Sequence, residues 1–323
     1  MDRKSLAVAL AVGGIVLAAS PSGWTKTLPE FRTKDHQTFE VGSSPDIDVS
    51  NVCGDISYTA VAGTTVTVDV TLIVSAETEE EAAQIRDEIK LRIKGGSGSL
   101  FAEVKFPDDL GRLLRRKFGK DRDVCVQFEI TGPHDAMGSL ESVSGNVSLS
   151  GTTGMMEIAS VSGDVELEDC SGHLTATSVS GNTRVTSCKG PIEASSVSGN
   201  VQVKRSSGTL TADGVSGNVV VESHNGGFTV ETVSGDISVR AHSGQEDMSV
   251  ETISGQVTIA VDPSELSEVQ LETMSGEIET TNLPFAFKGR RSDGSMKLRV
   301  GKGDAILKVS TLSGDIQLAS LVE

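Results

Sequence analysis

Apolar and polar residues alternate in short runs over most of this chain. The apolar positions within residues 196–213, SVSGNVQVKRSSGTLTAD, are Val197, Val201, Val203, Leu210 and Ala212. A period of two residues is typical of β-strands that turn one face inward, whereas helical spacing is absent from this stretch. The pattern therefore predicts strands of about five residues, separated by turns.

The phrase Val-Ser-Gly-Asn/Asp-Val recurs every 18 residues. Its regular copies begin at Val143, Val161, Val179, Val197, Val215 and Val233, and looser copies begin at Ile253, Met274 and Leu312. A fixed short period is typical of repeats that stack, because one unit cannot bury its apolar face alone. We therefore expect an all-β fold, a β-solenoid of about 18-residue coils, over residues 136–323. An antiparallel meander with Ser-Gly as each hairpin turn is the alternative, and it explains the constant period less well.

Two glycine turns divide each unit, at Gly199 and Gly208 in the unit quoted above. Glycine suits both turns because it reaches φ > 0 without a penalty from Cβ. Replacing Gly199 by Val should therefore damage folding.

The residue after the first glycine forms one column in such a solenoid. Its members are Asn146, Asp164, Asn182, Asn200, Asn218 and Asp236. Stacked amides can hydrogen-bond along the column, whereas two carboxylates about 4.8 Å apart repel each other by about 1 kcal/mol even in water. No Asp follows Asp in the regular coils. This order favours a structural ladder over a ligand site.

The N-terminal part precedes the repeats and differs from them. A short basic head, an apolar run over residues 6–19 and small residues before Pro21 predict a signal peptide at residues 1–20, with a retained N-terminal anchor as the alternative. We expect export to the cell envelope, the cell surface or the medium. Residues 21–40 are polar and predict a linker.

Residues 41–135 predict a β-rich capping part with one helix at about residues 78–94. Thr78 and Glu81 form a capping-box pattern, and Ala82, Ile85 and Ile89 lie on one face of the helix. The helix is expected to pack over a sheet or over the open end of the solenoid. A partner-binding helix is the alternative.

The net charge of −17 makes nucleic-acid binding unexpected, because phosphate contacts need a basic surface. One cluster reverses this charge: Arg112, Arg115, Arg116, Lys117, Lys120 and Arg122. It is either a contact for an anionic polymer or a membrane surface, or a solvated loop. A second candidate contact is the loop that contains Phe285, Phe287, Lys288, Arg290 and Arg291. This loop either recognises a ligand or covers an exposed apolar edge of the solenoid.

Cysteine spacing is the one covalent signal in the sequence. Cys170 and Cys188 lie 18 residues apart, so stacking would place their Cα atoms about 4.8 Å apart, within disulfide range. Stacked side chains point the same way, however, and reach disulfide torsions poorly, so a disulfide and two free thiols are equally expected for this pair. Cys53 and Cys125 either pair or remain small buried thiols.

No catalytic or metal-ligating pattern accompanies the repeats. The histidines share no metal-ligand spacing, and the sequence has no Cys-x-x-Cys, nucleophile elbow or phosphate loop. We therefore expect no enzyme activity, no cofactor and no metal.

The helix-bearing N-terminal part, a strand that ends in Gly-Pro at residues 126–133, and the repeated phrase together resemble a bacterial family of adhesin-like domains of unknown function. The resemblance covers residues 40–320. It implies an exported or membrane-associated β-solenoid and supplies no catalytic residues. The expected function is non-catalytic binding of an envelope polymer, glycan or protein partner along the solenoid. The alternatives are a polysaccharide-processing β-helix enzyme and a structural protein associated with envelope stress.

Overall fold

The computed structural model describes residues 28–107, 122–243, 246–281, 289–292, 294–300 and 302–321, of which 289–292 are described by their backbone alone. Two compact units divide the chain, Met1–Gly145 and Asn146–Glu323. The fold is all-β, with a β-solenoid after an N-terminal β-rich part, as predicted. The described part of the first unit contains one α-helix.

The first unit contains eight described strands and helix α1. They are β1 (Glu30–Glu40), β2 (Asp46–Cys53), β3 (Ile56–Val61), β4 (Thr65–Ser75), α1 (Glu79–Asp87), β5 (Lys90–Gly96), β6 (Ser99–Lys105), β7 (Val124–Pro133) and β8 (Met137–Ser144). One run of paired strands is β1-β4-β7-β3, and the other is β5-β6-β2-β8. Each run mixes parallel and antiparallel neighbours.

Within the predicted linker at residues 21–40, residues 21–27 lie outside the described residues, and strand β1 corrects the prediction for Glu30–Glu40. It pairs antiparallel with β4 along its whole length, from Glu30 opposite Ser75 to Glu40 opposite Thr65. Its residues alternate between exposed and half-buried, and none is fully buried. A strand with one such weakly buried face carries mostly polar residues, so its sequence resembles that of a linker.

Helix α1 is shorter than the predicted 78–94. Its start is as expected, because Thr78 Oγ1 accepts a hydrogen bond of 3.2 Å from the Glu81 N–H, and Ile85 is buried. The helix ends at Asp87, and residues 90–96 form β5, which pairs antiparallel with β6. Sheet pairing therefore overrides the helical spacing of the apolar residues beyond the helix end.

The second unit consists of two sheets that face a common core. The first sheet contains β9 (Val147–Ser150), β11 (Val165–Glu168), β13 (Thr183–Thr186), β15 (Val201–Lys204), β17 (Val219–Asn225), β19 (Ile237–His242), β21 (Val257–Val261), β23 (Ile278–Thr281) and β27 (Ile316–Ser320). The second contains β10 (Met156–Ser162), β12 (Leu174–Ser178), β14 (Ile192–Ser196), β16 (Leu210–Ser216), β18 (Phe228–Ser234), β20 (Met248–Ser254), β22 (Leu266–Ser275), β24 (Gly289–Ser292), β25 (Ser295–Arg299) and β26 (Ala305–Ser313).

Successive regular coils stack in parallel with a register of 18 residues. Val165 lies opposite Val147 on one side and opposite Thr183 on the other. This parallel pairing rules out the antiparallel meander for the repeats. The inward side chains Val201, Val203 and Leu210 have no exposed surface, so the core between the sheets is continuous from coil to coil.

Val197 does not belong to that core. It is 43% exposed, and every other copy of the first Val in the phrase is exposed as well. The interpretation of Val197 as an inward residue was therefore wrong. Leu210 and Ala212 point inward in β16, so the alternation continues to Gly214 inside and Val215 outside.

The two glycine turns work for different reasons. Gly208 has φ +108°, a conformation that L side chains rarely adopt. Gly199 does not have a left-handed φ, but a Cβ there would lie 2.1 Å from the carbonyl oxygen of Gly181 in the preceding coil. Close approach of two backbones, rather than φ, requires glycine at the Val-Ser-Gly turn.

The last coil in the sequence does not lie at the end of the stack of coils. Strand β26 lies between β20 and β22, and β27 lies between β21 and β23. The coil that starts at Leu312 therefore inserts between the coils of Ile253 and Met274, which precede it in sequence. The interval of 38 residues between Met274 and Leu312 makes this return possible. It includes the antiparallel pair β24–β25, of which β25 pairs with β22.

Among the residues that the structure describes, no helix is long and apolar enough to cross a membrane.

Candidate functional site

The column of residues that follow the first glycine of each repeat, from Asn146 to Asp236, forms a hydrogen-bonded ladder in the second unit. The backbone N–H of Asp164 donates to Asn146 Oδ1 at 2.9 Å, and the N–H of Asn182 donates to Asp164 Oδ1 at 2.8 Å. The same bond recurs up to Asp236 and Gln256, at 2.9 to 3.0 Å. A side-chain oxygen is the acceptor at each step, so Asp serves as well as Asn. The geometry is that of a structural ladder.

The cysteines differ from the pairing that their spacing suggested. Cys53 and Cys125 form a disulfide with Cα atoms 4.8 Å apart, whereas Cys170 and Cys188 are buried free thiols. The Cys170 and Cys188 thiols donate to the carbonyls of Glu168 and Thr186, at 3.1 and 3.4 Å. In-register parallel stacking points both side chains in the same direction, which explains why neighbouring coils do not bond here.

Most of the basic cluster lies outside the described residues, namely Arg112, Arg115, Arg116, Lys117 and Lys120. Arg122 is described, and its side chain is only 8% exposed. Its Nε donates to Glu81 Oε1 at 2.7 Å, and its other nitrogen lies 3.4 Å from Glu77. Burial opposes ionisation of Glu81, but the Arg122 hydrogen bond and backbone donors outweigh it and lower the pKa of Glu81. Arg122 therefore holds α1 in place, and its side chain is not part of an exposed basic surface.

The second predicted loop is also only partly described. Phe285, Phe287 and Lys288 lie outside the described residues, and Arg290 and Arg291 belong to β24 without described side chains.

An exposed aliphatic stripe runs along the outer face of the second sheet. Its members come from the first position of the repeated phrase and are aligned by the strand registers, for example Gly214 opposite Thr232 and Ser216 opposite Ser234. In spatial order they are Val161, Val179, Val197, Val215, Val233, Ile253, Leu312 and Met274. Exposure is 40 to 50% along the stripe and reaches 81% at Met274. A contiguous apolar surface of this kind marks an interaction site in soluble proteins.

The corner geometry explains why these side chains point outward. The inward position before each Val holds a small hydroxyl or glycine residue in the coils from Ser178 onward. Ser178 Oγ donates to Gly163 O at 2.9 Å, and Ser196 Oγ donates to Gly181 O at 2.8 Å. In these two coils the hydrogen-bonded hydroxyl occupies the inside of the corner, so the branched aliphatic residue that follows lies outside. At the same position in later coils, the hydroxyls of Thr232, Thr252 and Thr311 are buried without a hydrogen-bond partner in the described part of the chain.

A column of carboxylates lies beside this stripe, two residues earlier in each strand. Asp213 lies opposite Glu231, and Glu231 lies opposite Glu251, in register. Ser310 of the inserted coil follows Glu251, and Glu272 follows Ser310. Adjacent carboxylates about 4.8 Å apart repel each other, yet three carboxylates occur in succession in this column. In the regular coils of the ladder column, by contrast, amides separate the acids, so that no two acids are neighbours.

The four carboxylates do not pair with cations within the described part of the chain. On the other sheet, Glu222 pairs with Lys204 at 3.1 Å. Partial burial, then the charges of Glu231 and Glu193, raise the pKa of Asp213 above its usual range. The fold thus keeps like charges together without neutralising them, which is typical of functional sites.

Stripe and column form the wall of a groove of about 730 Å³. Asp213, Glu231, Glu251 and Glu272 line it, together with aliphatic residues from Val233 to Met274. Gly294 and Ser295, at the start of β25, also line the groove. Its size is that of ligand-binding clefts. We call it the acidic groove.

Sequence reasoning missed this site although a signal was present. Counting alternation from the inward residues Leu210 and Ala212 would have placed Asp213 and Val215 on the outer face. Aligning the units would then have shown the succession of Asp213, Glu231 and Glu251. The contribution of Glu272 depends on the inserted coil, which the order of the sequence does not reveal.

The family model Toastrack DUF4097 matches residues 27–219 and 210–319. No curated protein matches the chain.

Several solved structures resemble the fold at low identity. A proposed adhesin from Bacteroides fragilis is 16% identical, and the match covers 88% of this chain and 97% of that one, with a TM-score of 0.42. A proposed lipid-binding protein from Parabacteroides distasonis is 12% identical, with coverage of 88% and 96% and a TM-score of 0.44. A proposed adhesin from Parabacteroides merdae is 12% identical, with coverage of 89% and 95% and a TM-score of 0.38.

Proposed function

Since the chain belongs to the Toastrack DUF4097 family, we propose that it is an exported, non-catalytic, adhesin-like protein of the cell envelope or surface. Its acidic groove binds an extended basic segment of a partner protein. The observation that carries this proposal is the run of neighbouring carboxylates alongside an exposed aliphatic stripe in one groove.

The chemistry of the groove selects the ligand. Lysine or arginine side chains would neutralise Asp213, Glu231 and Glu251, and this would relieve the repulsion between neighbouring coils. Apolar groups of the same segment would cover the stripe and remove its aliphatic surface from water. A basic segment that also carries apolar residues satisfies both surfaces, whereas an anionic polymer satisfies neither.

Export is supported by two independent features of the chain. Residues 1–20 have the pattern of a signal peptide. The disulfide between Cys53 and Cys125 suits an oxidising compartment, because such bonds rarely persist in the cytosol.

Glycan hydrolysis is the second candidate, and the groove carboxylates favour it to some extent. Glycosidases use one carboxyl group with a raised pKa, as at Asp213, and a second one that stays ionised. Those two groups flank the scissile bond from different sides, however. Asp213, Glu231 and Glu251 project from one sheet face in a single row, so binding is the better-supported role.

The test exposes the purified full chain to a basic peptide, an anionic envelope polymer and a neutral glycan across a salt series. Saturable peptide binding that weakens with salt, without product release from the glycan, is the expected result. Preference for the anionic polymer would overturn the groove as the binding site. Product release would overturn the non-catalytic role. Binding to none of the three would favour a structural role in the envelope.

A further inference from the structure

Two successive coils, which begin at Val233 and Ile253, are longer than 18 residues, and both depart from the regular length at the same corner of the fold. One addition follows β19, which ends at His242, and the other contains the 3₁₀ turn Pro263–Glu265 after β21. The two strands are neighbours in parallel register, with Ala241 opposite Val261. Both additions therefore begin at the same end of the first sheet, at the corner where the chain crosses from β19 and from β21 to the second sheet.

His242, Asp262 and Glu265 come together at this corner. One potential ligand atom from each lies within 4.8 Å of the other two. His242 Nδ1 is 3.6 Å from Glu265 Oε1, which is too long for a hydrogen bond. Two ligand atoms about 2.0 to 2.1 Å from a tetrahedral zinc ion lie about 3.4 Å apart, so the observed separation fits a shared metal.

Neighbouring donors already orient both carboxylates. Glu265 Oε2 accepts from the backbone N–H of Ser243 at 2.6 Å and from its hydroxyl at 3.0 Å, while Oε1 faces His242. Asp262 Oδ1 accepts from the Ser264 N–H at 2.8 Å. Such outer hydrogen bonds hold ligands in position for a metal ion. The His242 and Glu265 side chains are 48% and 26% exposed, so an ion can reach them from solvent.

We propose that His242, Asp262 and Glu265 form a binding site for a divalent transition-metal ion, of which Zn²⁺ is the best match, with water completing the coordination. An imidazole nitrogen together with two carboxylate oxygens suits zinc, whereas calcium and magnesium prefer oxygen ligands alone. The ion joins two successive coils at the one corner where both exceed the regular length. The spacing of histidines along the sequence does not reveal this site, because stacking of coils creates it.

The test is calorimetric titration of the full chain with ZnCl₂, followed by thermal unfolding with and without the metal. Wild type should bind one Zn²⁺ per chain at this corner, and its Tm should rise with Zn²⁺ concentration. His242→Ala, Asp262→Asn and Glu265→Gln should each weaken Zn²⁺ binding about tenfold or more. Asn at 262 retains an acceptor for the Ser264 N–H, so this variant keeps the turn.

A matched control is His173→Ala. His173 also lies near a glutamate, with Nε2 3.9 Å from Glu193 Oε1, and both are exposed. Among the described residues, this pair belongs to no three-ligand cluster, so its loss should leave Zn²⁺ affinity unchanged. Absence of saturable Zn²⁺ binding to wild type would overturn the proposal. Equal weakening by His173→Ala, or full affinity in Glu265→Gln, would also overturn it, as would tighter binding of Ca²⁺ than of Zn²⁺.

Discussion

Replacing Gly199 by Ala tests the close stacking of coils at the Val-Ser-Gly turn. The new Cβ would lie 2.1 Å from Gly181 O, and Cβ atoms essentially never approach closer than 3.0 Å, so the two coils must separate locally by about 0.9 Å. The Ser198 N–H bond to Val179 O, now 2.9 Å, and the Asn200 N–H bond to Asn182 Oδ1, now 3.0 Å, would stretch beyond bonding range.

Loss of two such hydrogen bonds lowers the free energy of unfolding by about 1 to 3 kcal/mol. Overpacking costs a similar amount if the coils do not separate. We therefore expect Gly199→Ala to lower the free energy of unfolding by about 2 to 3 kcal/mol. Urea unfolding followed by circular dichroism measures this loss.

Ser198→Ala is the matched control, because Ser198 is exposed and lies in the same turn. It should change the free energy of unfolding by less than about 0.5 kcal/mol. If Gly199→Ala were as stable as this control, the close approach of the two backbones would not be what requires glycine.

Two further changes test the charge and covalent features. Asp213→Asn should stabilise the chain at pH 7, because the raised pKa of Asp213 means that its ionised form is disfavoured in the fold, chiefly by burial and then by Glu231 and Glu193. That penalty grows as pH rises from the usual Asp pKa of 3.8 through the raised folded-state pKa, so at pH 3 the variant and wild type should have the same free energy of unfolding in urea. An equal increase in the free energy of unfolding at pH 3 and pH 7 would contradict the charge argument. Replacing both Cys53 and Cys125 by Ser should lower the free energy of unfolding by about 4 kcal/mol, given 72 residues between them, and reduced wild type should match the variant in urea unfolding.

The repeated phrase predicts the solenoid well because every coil faces the same stacking problem. Alternation in β16 identifies Leu210 and Ala212 as core residues, and the 18-residue interval predicts the register of Val165 with Val147. The capping box likewise identifies the start of α1 at Thr78. These features depend on local sequence or on an unbroken repeat, so they can be deduced without the fold.

Features that depend on contacts distant in sequence could not be deduced in the same way. Insertion of the Leu312 coil between earlier coils follows from sheet pairing, which no local pattern encodes. The Cys53–Cys125 disulfide likewise depends on the packing of the first unit. The outward position of Val197 was deducible, but treating every apolar residue as a core residue obscured the stripe and hence the acidic groove.

The most direct test of the acidic groove is the affinity of a labelled extended peptide, with alternating lysine and leucine, for two double variants. Glu231→Gln with Glu251→Gln removes two groove charges. Glu166→Gln with Glu222→Gln removes two charges from the other sheet, where Arg184 and Lys204 pair with them.

Both double variants change the net charge equally, so fluorescence anisotropy separates local from general electrostatics. The account predicts that the groove variant binds the peptide about tenfold more weakly than wild type, which corresponds to about 1.4 kcal/mol, while the control variant stays within about twofold. Equal weakening in both variants, or none in the groove variant, would contradict the claim that the acidic groove binds basic segments.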